Sequence, residues 1–350
     1  MTFFLIIELI IPHEDDESKQ MSQSKSKRGA TPALIGISIS IILLIGLFIA
    51  EQLLGRFAVI FRPSAFIEIR NFRIVIIHCL LAGYLPAAYL YILRSARSII
   101  NELNPILVSS DVHKNSKVRQ ITKKKFIFSG VLGVLMTVLT PYLSAQSPWS
   151  PSGWTPEIVW HRILGPVIGW WAGCFCYAVV KESIRISRTA ALIQEIDLLD
   201  LKPLEPFVRQ GLVNALLVVG VVAIFSITLI EPGMEMTVVV VAGITLPIAF
   251  IGLFLPVFGV HRRIHEAKQV ELTWTFEEIR QAQLRLKDPS IGPTQSKMAD
   301  LTTYYRLIDR IPEWPFRTST FFQAILYLLI PVVTWLAGLL IDSALTLLFG

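Results

Sequence analysis

Charge is scarce in this chain and nearly missing from its longest runs. Asp, Glu, Lys and Arg make up 17% of the 350 residues, against 53% hydrophobic. That balance is too apolar for a surface lying wholly in water. Cysteine is also scarce: Cys79, Cys174 and Cys176 all lie in apolar runs. Cys174 and Cys176 are two apart and point to different faces of a helix. A disulfide framework is therefore excluded, and free thiols packed as small apolar groups are expected. There is no Cys-x-x-Cys, no His-Glu-x-x-His and no glycine-rich loop ending in Lys-Ser/Thr, which removes the usual zinc and phosphate-loop chemistries. Nothing orients a nucleophile beside its base, and no cofactor or metal is expected. Alternation of polar and apolar residues is absent, which excludes a transmembrane barrel. No folded basic module is present, so nucleic acid is not an expected partner despite a net charge of +6.

What is present is a set of long apolar runs: about 33–50, 74–93, 126–145, 158–180, 211–230, 237–260 and 319–341. A hydrocarbon core of about 30 Å needs roughly 20 apolar residues of helix. The fold class expected is all-α, a helical multi-pass membrane protein of seven spans. Lys and Arg concentrate in 94–125, 181–210 and 261–317, whereas 146–157 and 231–236 hold none. Basic loops stay cytoplasmic, which sets the N-terminus inside and the C-terminus outside. Arg56, Arg62, Arg70 and Arg73 fall in a loop expected outside, so the crossing at 33–50 fits this rule least well. Anionic lipid headgroups are the expected partner of the basic loops.

The organisation expected is a disordered cytoplasmic segment over 1–32, a six-helix membrane part over 33–260, a cytoplasmic hairpin over 261–317 and a last span within 318–350. The acidic run Glu14-Asp15-Asp16-Glu17 and the Ser/Lys-rich stretch after it favour disorder. Met21 offers an alternative start.

Within the membrane part, Gly165, Gly169 and Gly173 are four apart on one helical face. Such a stripe lets two helix backbones approach closely, within the chain by default and between chains as the alternative. His78 is the only ionisable side chain deep in the first three runs, a candidate functional residue against the plainer reading of an imidazole bonded to a neighbouring helix. Asn214 and Gln323 are candidates for interhelical hydrogen bonds. Pro86, Pro166, Pro247 and Pro331 are expected to kink or break helices. Trp149, Trp154 and Trp160 read as an interfacial aromatic belt rather than a ligand site. Glu195, Asp197, Asp200 and Glu205 lack the spacing of a calcium loop, and the leucines among them read as an amphipathic elbow.

The longest polar stretch, 256–317, carries two apolar seams at 3–4 spacing. Leu272, Phe276, Ile279, Ala282 and Leu286 form the first; Met298, Leu301, Tyr305, Ile308 and Ile311 form the second. Between them, 288–293 hold two prolines and a glycine. Two amphipathic helices across a short breaker predict an antiparallel hairpin, with Ile279 near Leu301 or Tyr305.

Three stretches carry a resemblance. The run from Asp197 through Pro203 and Pro206 to Gly211, the run from Pro256 to Ile264 with Lys268, and Ile311-Pro312-Glu313-Trp314-Pro315-Phe316 look like segments found in a group of uncharacterised bacterial multi-pass integral membrane proteins. The likeness covers roughly the C-terminal half. It implies a bacterial inner-membrane setting and brings no activity or catalytic residue with it.

Charges near the bilayer midplane are missing, which disfavours ion-coupled transport. Three function classes remain. One is a membrane sensor or assembly protein acting through the hairpin, with a protein partner or a second copy docked there. Another is a passive channel or transporter with the hairpin as anchor or gate. The third, a membrane enzyme, is the least supported.

Overall fold

Helices follow the apolar runs and overshoot them. The computed structural model describes residues 31–53, 70–107, 123–143, 156–225, 235–286, 295–315 and 329. Its helices are α1 (Pro32–Leu53), α2 (Arg70–Leu103), α3 (Lys123–Leu143), α4 (Pro156–Thr189), α5 (Glu205–Phe225), α6 (Glu235–Leu286) and α7 (Gln295–Asp309), with short 3-10 turns at Asn104–Ile106, Ala190–Leu192 and Lys202–Leu204. Among the described residues there is no strand beyond one isolated bridge, Leu107 to Ile193. The chain is all-α.

Among the described residues, five segments are long and apolar enough to cross a membrane: Pro32–Ala50, Val75–Ile106, Arg162–Leu192, Lys202–Phe225 and Gly243–Arg285. The run 126–145 is helical as far as Leu143 but is not among these five. The expected seventh span, the segment before residue 31, the breaker 288–293, Gln323, Pro331, Trp149 and Trp154 lie outside the described residues.

The prolines do not break these helices. Pro86 lies inside α2, Pro166 inside α4, and Pro247 and Pro256 inside α6. Each proline removes one i→i−4 bond. Apolar surroundings offer no water to the other backbone groups, so the helix retains its remaining bonds. The separate element expected after Pro256 is instead the second half of one 52-residue helix.

The chain divides into two compact units, residues 1–91 with 129–175 and residues 92–128 with 176–350.

In the first unit, α1 packs on α2 and α3 packs on α4. A Cβ on Gly36 of α1 would lie 2.9 Å from the Gly83 carbonyl oxygen of α2. Tyr89 and Trp171 meet at 5.9 Å between ring centroids. The other side of α1 stays exposed and apolar at Ile37, Ile41, Ile42, Ile45 and Ile49.

In the second unit, a core gathers the ends of three helices and the middle of α6. Ile99 and Leu103 of α2, Ile186 of α4, Phe207 of α5 and Val260 and Ile264 of α6 are buried together. Removing each such large side chain from water contributes about 1.5–3 kcal/mol. The acidic elbow closes this core. Leu204 is buried, and Ile196, Leu198 and Leu201 pack on it. The backbone N–H of Leu199 donates to Asp197 Oδ1 at 2.8 Å, and that of Lys202 to Asp200 Oδ1 at 3.2 Å. Two of the four carboxylates thus cap turns.

The polar half of α6 packs on α7 in a consistent order. Tyr304 donates its hydroxyl to Glu271 at 2.8 Å, and Lys268 reaches the Asp309 carbonyl at 2.7 Å. As the α6 numbers fall, the partner numbers rise. Extended along α6, this register would bring Thr275 towards Leu301 and Ile279 towards Met298.

The first seam is partly displaced. Ala282 is buried, Leu272 and Ile279 are half-buried, and Phe276 is 57% exposed. Thr275 takes the inward place, fully buried, with its hydroxyl donating to the Glu271 carbonyl at 2.7 Å. The buried line along α6 runs Ile264, Lys268, Thr275, Ala282, close to a 3.5-residue repeat, and Phe276 lies about 100° round the helix from Thr275. On α7, Ile308 is buried and Met298, Leu301 and Tyr305 are half-buried. The side chain of Leu286 lies outside the described residues.

Candidate functional site

The second unit holds a polar latch and a buried polar chain. The latch forms where residues 309–314 run back along α6. His261, His265 and Lys268 lie on one face of α6 at spacings of four and three. The Lys268 ammonium, 9% exposed as a side chain, donates to the Asp309 carbonyl at 2.7 Å and to that of Ile311 at 3.0 Å. It thereby satisfies carbonyls that the end of α7 leaves without intrahelical partners. The Glu313 carboxylate accepts from His265 Nδ1 at 3.0 Å, and its other oxygen lies 3.7 Å from Lys268 Nζ. His261 donates Nδ1–H to the Glu313 carbonyl at 3.2 Å, which fixes its tautomer. Its ring stacks on Trp314 at 4.2 Å and 10°. Trp314 in turn meets Phe254 edge-on at 6.5 Å. Arg263 ties the same stretch of α6 to the elbow by donating to the Ile193 carbonyl at 2.9 Å.

His265 was not singled out in the sequence. Its signal was available: four residues after His261 and three before Lys268, it lies on their face.

The Glu313 carboxyl is held below the usual carboxylate range, first by the hydrogen bond from His265, against the opposing effect of burial, with smaller electrostatic help from His265, Lys268 and His261. A depressed carboxylate contributes stability above its unfolded pKa of about 4.3 and loses it as pH falls through the folded value. The latch should weaken below about pH 4. Thermal melts from pH 6 to pH 3 check this. Wild type should lose more stability over the acid limb than Glu313→Gln, and identical profiles would assign the acid loss to other groups.

The buried polar chain crosses four helices. Ser95 of α2 donates to Gln210 Oε1 of α5 at 2.8 Å, and Gln210 Nε2 donates to Asn214 Oδ1 at 2.7 Å. Asn214 Nδ2 donates to Ser183 Oγ of α4 at 2.9 Å and approaches the Gly252 carbonyl of α6 at 3.4 Å. Gln210, Asn214 and Ser183 are fully buried. Asn214 was a sequence candidate; Gln210, Ser95 and Ser183 were not. The latter two lie near the ends of apolar runs, where a lone serine reads as the start of a loop. Amides and hydroxyls do not titrate near neutral pH, so the chain joins helices and holds no exchangeable charge.

Interhelical hydrogen bonds in membranes average only about 0.6 kcal/mol, but orphaning a buried polar group costs about 1–3 kcal/mol. Asn214→Leu orphans both Gln210 Nε2 and Ser183 Oγ. It should therefore destabilise by about 2 kcal/mol or more, read from denaturant titration in detergent. A change under about 0.6 kcal/mol would assign the chain no role beyond filling space.

The glycine stripe faces α3 of the same chain. A Cβ on Gly169 would lie 2.7 Å from the Gly133 carbonyl oxygen, and one on Gly173 would lie 3.1 Å from the Gly133 Cα. At Gly165 the nearest atom, Thr137 Cγ2, would be 3.6 Å away, an ordinary contact. His78 is half-buried on α2 in the first unit. Among the described residues no group of His, Cys, Asp and Glu is arranged to hold a metal ion.

No family model matches the chain, and neither a curated protein nor a solved structure matches it.

Proposed function

We propose that this is a multi-pass protein of a bacterial inner membrane that acts as a sensor or assembly protein through a cytoplasmic antiparallel helical hairpin over 261–317. In this reading the basic loops and N-terminus are cytoplasmic, the C-terminus is outside, and no residue is catalytic. The observation that carries it is the continuity of α6 into the latch. A helix of 52 residues is about 78 Å long, against about 30 Å of hydrocarbon. A tilt of its apolar half displaces its polar half, and the latch passes that displacement to α7. The polar half also exposes Val270, Trp274 and Phe276, an apolar surface for a protein partner or a second copy.

The buried polar chain supports a second reading, a passive channel with the hairpin as anchor or gate. Two measurements separate the readings. The sensor reading expects a stoichiometric partner in a pull-down from native membrane and no ion flux in liposomes. Flux without a partner would replace it with the channel.

The hairpin has its own test. Cysteine pairs at Thr275 with Leu301 and at Ile279 with Met298, in a background lacking Cys79, Cys174 and Cys176, should crosslink within one chain. Crosslinks only between chains would make the segment an intermolecular coiled coil. A reporter at Ser290 should face the cytoplasm and one after Gly350 the outside; the same side for both would remove one span.

A further inference from the structure

The exposed surface of α6 changes character within about one turn. From Gly243 to Phe258 every exposed residue is apolar: Gly243, Ile244, Pro247, Phe250, Ile251 and Phe258. The next exposed residues are Arg262, His265 and Gln269. Phe258 is 56% exposed and the Arg262 side chain 76%, yet only about 6 Å of helix separates them. Arg262 holds Glu266 at 2.9 Å, so a charged pair follows the last exposed phenylalanine of this run.

The neighbouring helices of the second unit carry exposed charge at the same level. A Cβ on Gly259 would fall against the Ser187 carbonyl of α4, and Arg188 beside it is exposed. Val260 shares its core with Phe207 of α5, and Arg209, two residues on, is exposed and paired with Glu102 of α2. Charge facing hydrocarbon is costly, and so is a row of aromatic rings facing water. Trp314 sits across this level. It meets Phe254 edge-on at 6.5 Å on the apolar side and stacks on His261 at 4.2 Å on the polar side. Its ring remains exposed. An indole, with an apolar body and a polar N–H, settles at the depth of lipid headgroups.

We propose that Phe258 and Trp314 form a lipid-interface anchor: hydrocarbon ends in the turn between Phe258 and Arg262, and phospholipid headgroups cover the Trp314 side of the latch. The occupant of this aromatic face is lipid, because the face continues the exposed apolar surface of α6 and stops where charge begins. The anchor rests on the membrane reading above. It leaves 262–286 of α6, about 38 Å of helix, clear of the hydrocarbon. It also seats the latch on the bilayer surface, where a change in lipid depth reaches the end of α7 through Trp314 and His261.

The test uses the full chain in nanodiscs of phosphatidylcholine and phosphatidylglycerol. Cys79 and Cys174 are fully buried, so Cys176→Ala alone removes the accessible thiol. Nitroxide labels are attached one at a time through Phe250→Cys, Phe258→Cys, Arg262→Cys and Val270→Cys, all at exposed positions outside the core. Each label is read by its collisions with oxygen, which partitions into hydrocarbon, and with a water-soluble nickel chelate. Labels at 250 and 258 should be oxygen-dominated. Those at 262 and 270 should be nickel-dominated, although Val270 is apolar and exposed. The emission that Trp314→Phe removes should be quenched by phosphatidylcholine brominated on its acyl chains and spared by iodide. A nickel-dominated label at 258 beside an oxygen-dominated one at 250, an oxygen-dominated label at 270, or Trp314 emission quenched by iodide alone would overturn the anchor and leave α6 in the membrane. A nickel-dominated label at 250 would remove the membrane reading of α6 and the anchor with it.

Discussion

Gly169→Leu should prevent the stable packing of α3 on α4. The helices touch there through backbone. A Cβ on Gly169 already falls against Thr137 Oγ1 and 2.7 Å from the Gly133 carbonyl oxygen, and Leu adds three further carbons beyond it. Overpacking in ordinary cores costs about 1–3 kcal/mol because side chains move aside. A backbone carbonyl within a helix has no rotamer to change, so the two helices must separate along their whole contact. We expect a loss above about 3 kcal/mol, seen as a broadened elution profile and a fallen Tm in detergent. Gly165→Ala is the internal control. It lies on the same stripe, but its Cβ would meet Thr137 Cγ2 at 3.6 Å, so it should elute and melt close to wild type. If both variants behave alike, close helix approach is not what these glycines provide.

The outline of this fold was legible in its apolar runs. Five of the expected spans reappear in segments long and apolar enough to cross a membrane. The glycine spacing predicted a close approach, and the structure supplies its partner, Gly133 on α3. Other features were hidden for identifiable reasons. Proline was read as a breaker, but one lost hydrogen bond does not end a helix whose remaining bonds have no water to replace them. The apolar pattern chose Phe276 for the seam. Close packing chose Thr275, whose hydroxyl is satisfied by its own helix and whose small side chain admits α7. Hydrophobicity ranks a residue's preference for burial and carries no information on how near the next helix comes. Glu182 shows a further limit. In sequence it belongs to a basic loop-proximal stretch, and only the fold buries it. The polar chain was legible at Asn214, an isolated amide in an apolar run, and illegible at Ser95 and Ser183.

Lys268→Met should release α7 while leaving the rest of the second unit folded. Methionine keeps most of the length and apolar volume of lysine and removes only the ammonium. The carbonyls of Asp309 and Ile311 then lose their donor, and Glu313 loses the ammonium 3.7 Å from its Oε1. Losing hydrogen bonds from a charged donor costs about 1.5–3 kcal/mol, and a cation at the end of a helix adds to its stability through the macrodipole. A loss of about 2 kcal/mol raises the opened population roughly thirtyfold. Amide exchange over 298–309 should accelerate by that factor, because α7 is a 15-residue helix and an isolated helix of that length is marginal in water. Exchange at Val260 and Ile264 should not change, since both are buried in the core formed with α2, α4 and α5. Lys268→Arg supplies the contrast. It restores the charge on a planar fork that must serve two backbone carbonyls beside Glu313, and it should recover part of the protection. Uniform acceleration across α6 and α7 in Lys268→Met would mean that the two helices open as one body and that no separate latch exists. An unchanged exchange pattern would mean that the Thr275 and Ile308 packing alone holds α7 in place.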